Sequence, residues 1–347
     1  MTNRTDSKVI LVTGASTGFG RDSAETLARA GHRVFASMRD INGKNRVHAD
    51  ALSSLASTDK LDLSVIELDV TDGASVDRAI AKVLETAGRL DVLVNNAGGA
   101  AAGISETFTA EQFSALLNVN VVGLHRVTRA ALPALRAHRS GLVVNVGSIL
   151  GRVTFPFFAL YGASKFAVEA LSDGYRYELS QAGVDVALVQ PSAYPTQMYA
   201  SALQPQDGAR AAGYGAVAEI PGAMMAHFGA IFSSAGAPKP HDVATAIAAL
   251  VDSPQGGRAA RTVVGSPFGA DAVNQSTAPR AGRDREGPGI GALGRGTRVK
   301  SRPPLRTRRS AMQVIAIAIS VDVKDGAQAR ASRPSAPGSH GGYGGAV

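Results

Sequence analysis

"KVILVTGASTGFGRDSAETLARAGHRVFASMRD", residues 8–40, decides the fold. An apolar run, Val9–Thr13, enters a glycine-rich turn; a segment of helical spacing, Arg21–Ala30, follows, and a second apolar run, Val34–Ser37, closes the unit. A strand, a turn, a helix and a strand within about thirty residues form a βαβ unit of the mononucleotide-binding kind. Gly14 lets the chain turn sharply after the strand, while Gly18 and Gly20 allow backbone approach to a phosphate and close helix packing. The free N–H groups and the dipole at the helix start stabilise the anion. Thr13, Ser16 and Thr17 add hydroxyl donors, and Phe19 belongs to the same turn.

Outward from this unit the alternation continues. Apolar runs recur at Leu63–Leu68, Val92–Asn95, Leu142–Gly147, Val184–Val189 and Thr262–Val264, with helical spacing at Ser75–Thr86 and Glu111–Arg136. Runs apolar on both faces, joined by segments long enough for crossover helices, imply an α/β fold. The sheet is parallel and doubly wound, about seven strands with helices on both faces. Pro133 falls late in the long fourth helix and is expected to kink it. Residues 1–278 read as one domain. Within it, residues 191–240 lapse into a Pro/Gly-bearing stretch, longer than an ordinary loop, that reads as a substrate lid with short helices of its own. "PGAMMAHFGAIF" gathers Met224, Met225, Phe228 and Phe232 there, as a flexible apolar lid or as packing against the body or a second subunit.

The 347-residue chain is 45% hydrophobic, enough for a sizeable core, and has no cysteine, which excludes thiolate chemistry and disulfides. Its seven His show no ligand-like spacing, so no metal is expected. No run of about 18 apolar residues is evident and the polar start lacks a cleavage site, so a cytoplasmic protein without a membrane span is expected. The net charge of +8 is uneven: residues 279–347 hold 13 Lys/Arg against 4 Asp/Glu, leaving the rest at −1. That Arg/Gly/Pro-rich tail, with one apolar run in "MQVIAIAISVDV", reads as disordered. Tyr343 is its only aromatic residue, so nucleic-acid binding is not expected of it.

The end of the second strand selects the dinucleotide. An acidic residue there would accept from a free ribose 2′-hydroxyl; this chain offers Ser37, Met38 and Arg39. Arg39 can clamp a 2′-phosphate with Ser37 as second donor, so NADP is expected, with Asp40 keeping NAD open. Asp69, in "ELDVTD", is placed to contact the adenine edge and Val70 its face; a helix-capping role for Asp69 is the alternative. In "NNAGG", Asn95 can tie neighbouring strands, and Asn96, Ala97 and Gly98 bring backbone against the cofactor.

"TGASTGFG", "LDV", "NNAG", "NVNVVG", "NVGS" and "YGASK", in this order, resemble the classical short-chain dehydrogenase/reductase family, from about residue 8 to residue 270. The resemblance implies a Rossmann domain, NAD(P)-dependent interconversion of alcohols and carbonyls, and an Asn–Ser–Tyr–Lys tetrad at Asn120, Ser148, Tyr161 and Lys165. It also implies cofactor contacts at Pro191 and Thr196, a water held by Asn120, and a homodimer or homotetramer built on the helices bearing "NVNVVG" and "YGASK". One departure stands out: Ser192 replaces the glycine usual after the sixth strand.

Tyr161 and Lys165, four apart, share a helix face. To shuttle protons near neutral pH, a phenol needs its anion stabilised by roughly 4 kcal/mol. A cation about 4 Å away in an effective dielectric near 20 supplies about that much. The expected function is hydride transfer between a nicotinamide cofactor and a largely apolar secondary alcohol or carbonyl compound, with Tyr161 as acid/base, Ser148 steadying the oxygen, and Phe155, Phe157 and Phe158 near the substrate. The alternative is an NADPH-binding regulator whose basic tail contacts nucleic acid or a partner.

Overall fold

Each of the seven apolar runs becomes a strand in the computed structural model, which describes residues 7–277. They are β1 (Val9–Val12), β2 (Arg33–Met38), β3 (Leu63–Glu67), β4 (Val92–Asn95), β5 (Gly141–Val146), β6 (Val184–Pro191) and β7 (Arg261–Val264). All pair in parallel in the order β3-β2-β1-β4-β5-β6-β7. The order reverses between β1 and β4, so the loops leaving these two strands diverge and open a crevice at their carboxyl ends. The expectations for the basic tail, residues 279–347, lie outside the described residues.

Alternation along the strands sends neighbouring side chains to opposite faces. Ile10, Val12, Val34, Val94 and Val144 pack under α1 (Gly18–Arg29), α2 (Arg46–Thr58) and a later helix at His241–Asp252. Leu11, Phe35, Leu93 and Val143 pack under α3 (Gly73–Ala87), α5 (Leu124–Ala137) and α6 (Ala159–Leu179). Both faces are dry, which is why the strands read as continuous apolar runs.

Two elements differ from the expectation. The single long helix expected over Glu111–Arg136 is two, α4 (Ala110–Leu117) and α5, joined by a π-helical turn over Asn118–Gly123. Pro133 lies inside α5, which continues past it to Ala137. The helix α2 was not foreseen at all.

The lid carries α7 (Gln197–Ala200), a 3₁₀ stretch over Gly208–Glu219 and α8 (Ile220–Phe232), before α9 (His241–Asp252) and, after β7, α10 (Ala270–Thr277). By length and composition alone, one stretch of the described residues, Gly208–Phe232, is long and apolar enough to cross a membrane, at mean hydropathy 1.2, although Arg210 and Glu219 interrupt it. It is broken at Gly215 (φ 53°, ψ −132°) into two unlike pieces. Both pieces rest on the body: Arg210 and Tyr214 bind Glu106 (3.0 and 2.8 Å), and Met224, Met225 and Phe228 pack on the cluster containing Tyr161.

Candidate active site

The crevice is a cleft of roughly 420 Å³ floored by the loops after β1, β4, β5 and β6. At one end is the glycine turn. Gly14 (φ +67°) lies so close to the β4 loop that a Cβ would sit 2.7 Å from Ala97 Cα, and at Gly20 one would sit 2.3 Å from Asn96 Nδ2. Gly20 therefore serves helix packing, outside the cleft lining. The hydroxyl of Thr13 is committed to the same seam, donating to Val94 O and accepting from the Asn96 and Ala97 amides, so it is no phosphate donor. Asn96 Nδ2 completes the seam on Thr13 O and Gly14 O.

Ser16, Thr17, Gly18 and Phe19 face the cleft. Thr17 is the residue before α1 and makes no side-chain cap, leaving the first-turn N–H groups of that helix unmet by its hydroxyl. Unmet donors at a helix start in a cleft are the chemistry a pyrophosphate requires, and these residues fit that group.

Beyond the turn, Leu68, Asp69 and Val70 line one wall. One Asp69 oxygen accepts from the backbone N–H and hydroxyl of Thr71 (2.8 and 2.7 Å). The α3 cap is Asp72, which accepts from Ala74 N, so the alternative of Asp69 as that cap is not realised. Arg39 lines the cleft at the end of β2 together with Lys44 and Asn45, two residues the sequence reading missed because they lie in the irregular turn past Arg39. Asp40 (φ 49°) turns its carboxylate onto the Lys44 amide at 2.7 Å. Ser37 corrects the expectation: fully buried, it donates to Val12 O at 3.0 Å and cannot reach a cofactor phosphate, because an inward-facing position of a central strand points into the core.

At the other end lie Val146, Ser148, Tyr161, Lys165, Pro191, Ser192 and Thr196. Ser148 follows β5 as the cap of the short turn Ile149–Gly151 and accepts from Leu150 N at 3.1 Å, which leaves its own proton free for the Tyr161 oxygen. Tyr161 and Lys165 sit one turn apart on α6, 6% and 7% exposed, with the ammonium 5.7 Å from the phenol ring centre. Burial pushes the Tyr161 phenol up to about 12, against a lowering by the Ser148 hydroxyl. Burial likewise pushes Lys165 down to about 8. Lys165 Nζ donates to Val146 O at 3.0 Å, and in the chain alone the solvation that burial takes from both groups dominates their charge states.

Asn120, in the π turn, donates through Nδ2 to Gly99 O (2.9 Å) and Ser164 Oγ (3.0 Å), and accepts from Gly99 N (2.7 Å). Its side chain is committed to the glycine loop and positions Gly98–Gly99. Asn95 does tie strands, donating to Asn145 Oδ1 on β5 and to Thr128 on α5 (both 2.9 Å). Ser192 has an ordinary negative φ, its amide extending the β6–β7 pairing onto Val264 O, and its Cβ is accommodated by Gly265 opposite. The sequence reading also passed over Tyr199, in the lid beside this end, which no motif marks.

A parallel sheet reversing at a glycine turn, with an anion cradle at one end of its crevice and a buried Ser–Tyr–Lys group at the other, defines a dinucleotide-binding oxidoreductase domain. A family model for short chain dehydrogenases matches residues 8–207, and the chain belongs to that family. It is 35% identical over 189 residues to 3-ketodihydrosphingosine reductase of Bacteroides thetaiotaomicron, a match covering 54% of this chain and 65% of that one. Among solved structures it resembles a short-chain dehydrogenase from Streptomyces avermitilis (TM-score 0.64, 33% identity, 78% of this chain and 92% of that one). It also resembles actinorhodin polyketide ketoreductase solved with NADPH (TM-score 0.62, 26% identity, 76% and 97%).

Proposed function

We propose that the chain is an NADP-dependent oxidoreductase interconverting a secondary alcohol and a ketone or aldehyde on a largely apolar small molecule. The observation that carries this reading is the group at the end of the cleft: a buried phenol, a serine hydroxyl aimed at it and a buried ammonium one turn away. A bound nicotinamide supplies or accepts the hydride. In reduction the carbonyl carbon gains that hydride and Tyr161 gives its proton to the oxygen; in oxidation the phenolate takes the alcohol's proton. Ser148 donates to the oxygen as charge develops on it. Lys165 has one acceptor, Val146 O, among the described residues, which leaves further N–H donors for ribose hydroxyls.

The choice of NADP rests on Arg39 and Lys44 at the ribose end, with the carboxylate of Asp40, next to Arg39, turned onto the Lys44 amide. The apolar substrate rests on the lid, where Met224, Met225 and Phe228 pack on the Tyr161 cluster with Phe155 and Phe158. A relative named as a 3-ketodihydrosphingosine reductase and a neighbour named as a polyketide ketoreductase support a carbonyl substrate, while the solved neighbours include proteins bound to NADPH and to NADH.

The test is a panel of aliphatic ketones scored by NADPH absorbance. Turnover by the natural sequence is expected, with Tyr161→Phe lowering kcat by at least about 10²-fold while the NADPH dissociation constant stays within about twofold. Retained turnover in Tyr161→Phe defeats the assignment. Equal dissociation constants for NADPH and NADH defeat the cofactor choice.

A further inference from the structure

The lid and residues 102–107 line a second, open cavity of roughly 440 Å³, beside the cofactor cleft. Most of its wall is small or apolar, with Ile104, Ala202, Pro205, Pro221 and Met225 among the residues, and of its polar members the Thr107 hydroxyl donates to Ile104 O and Gln204 Nε2 to Ala202 O. Such a lining takes a hydrocarbon arm by surface burial.

Tyr199 breaks the pattern. It stands in α7 with its ring against Phe228 (6.2 Å between centres) and Phe232 (5.4 Å), held by aromatic packing in the cavity wall. Its hydroxyl has no hydrogen-bond partner among the described residues. Met198, the preceding residue, lines the cofactor cleft, so Tyr199 sits where cleft and cavity meet. On the same side, Met198, Ala202, Met225 and Phe228 all pack on the cluster that holds Tyr161. The two phenols feel each other: burial first, and then charge on Tyr161, hold the Tyr199 phenol above its ordinary value. At neutral pH it is therefore a donor. The half-buried hydroxyl is open to solvent, and a ligand that displaces that solvent without bringing an acceptor leaves the donor unmet.

We propose that the lid cavity receives the apolar arm of the substrate and that Tyr199 sets specificity by donating a hydrogen bond to a second substrate oxygen, a few bonds from the reacting carbonyl. The substrate class is an oxygen-bearing long-chain ketone, or the corresponding diol in the oxidising direction. This rests on the oxidoreductase reading and adds to it a polar requirement that the apolar lining alone would not impose. A site built to bond a substrate oxygen disfavours the analogue lacking it, because the donor is then left unmet.

The experiment compares two probes of equal chain length, an aliphatic methyl ketone and its β-hydroxy counterpart, with NADPH and the full chain. The natural sequence should favour the β-hydroxy ketone by about fivefold in kcat/KM, chiefly through KM. Tyr199→Phe should bring that preference to about one, with the plain ketone's kcat/KM and the NADPH dissociation constant moved by less than about twofold. A preference that survives in Tyr199→Phe, a natural sequence that shows none, or equal losses on both probes overturns the role of Tyr199 and leaves the oxidoreductase reading standing. If the natural sequence consumes neither probe nor any ketone, both fall together.

Discussion

Lys165 is held in the fold at a cost that its chemistry requires. An ammonium with one backbone acceptor and little solvent is less favourable folded than unfolded, which is why burial pushes it down to about 8 from 10.5. The sign follows from proton counting. Between about 8 and 10.5 the unfolded chain binds more protons than the folded one, so this group's contribution to stability rises with pH across that window, and the penalty is full below it. Lys165→Met should raise the unfolding free energy of the cofactor-free protein at neutral pH by on the order of 2 kcal/mol, with turnover lost. The gain should shrink toward pH 10, as measured by denaturant titration at both pH values. A gain of equal size at both would show that packing, and not charge, is responsible. The pair itself is legible in the sequence because i, i+4 spacing fixes a shared helix face. Its charge states are not, because they depend on how deeply the rest of the chain covers them. Ser37 fails for a related reason: strand parity decides which way a side chain points, and the sequence does not say where the cleft lies relative to that parity. Tyr199 carries no motif and becomes a candidate only when the lid is folded over the cavity.

The elements divide between those whose apolar period is strong and those built on small residues. The inner strands are legible because both sheet faces are buried there, leaving runs such as Val9–Val12 with no polar interruption, while the edge strands β3 and β7 are partly open. The helix α2 is not, since its buried residues are Ala49, Leu52 and Ala56 among serines, and the exposed Val47 blurs the stripe. The π turn at Asn118–Gly123 is invisible for another reason: one extra residue per turn over six positions leaves the apolar pattern almost unchanged, yet it brings Asn120 onto Gly99. At the same scale, the lid's 3₁₀ stretch is latched by the exposed Glu106, which binds Arg210 and Tyr214. Tyr214 first and Arg210 second hold the Glu106 carboxyl below its ordinary range. A carboxyl lowered on folding contributes above its unfolded value and loses that contribution as pH falls through the folded one, so the latch is intact at neutral pH and loosens in acid. Glu106→Gln should therefore increase limited proteolysis within residues 203–219 severalfold at neutral pH, with the melting temperature unchanged within about 2 °C. Cleavage as slow as in the natural sequence would mean that the backbone contacts from Leu203 to Ala100 and from Asp207 to Thr107 hold the lid without the latch.

At the scale of the whole molecule, the face of α6 that turns away from Tyr161 and Lys165 remains open. Phe166 is 42% exposed and Tyr177 47%, and eleven residues is close to three helical turns, so the two lie in line on one side. Val122, 46% exposed, lies on the π turn, whose residues contact α6. Large apolar side chains in a row on adjoining elements mark an association surface more often than a solvated one. We propose that a second copy of the chain covers this face, in line with the homodimer or homotetramer that the family resemblance implies. Sedimentation of the natural sequence at micromolar concentration should then give at least twice the monomer mass. Phe166→Glu, which places a carboxylate in the contact, should move that mass to the monomer because an unpaired charge cannot be covered cheaply. The core behind Phe166 is untouched by the change, so the circular-dichroism spectrum of the variant should match that of the natural sequence. The catalytic group would respond as well. Phe166 adjoins Lys165 in the chain, and a partner seated on this face would brace the helix that holds Tyr161 and Lys165 one turn apart. Turnover should accordingly fall with dilution in step with dissociation and recover on concentration. A natural sequence that sediments as a monomer while turning over at full rate would remove the second copy from this account.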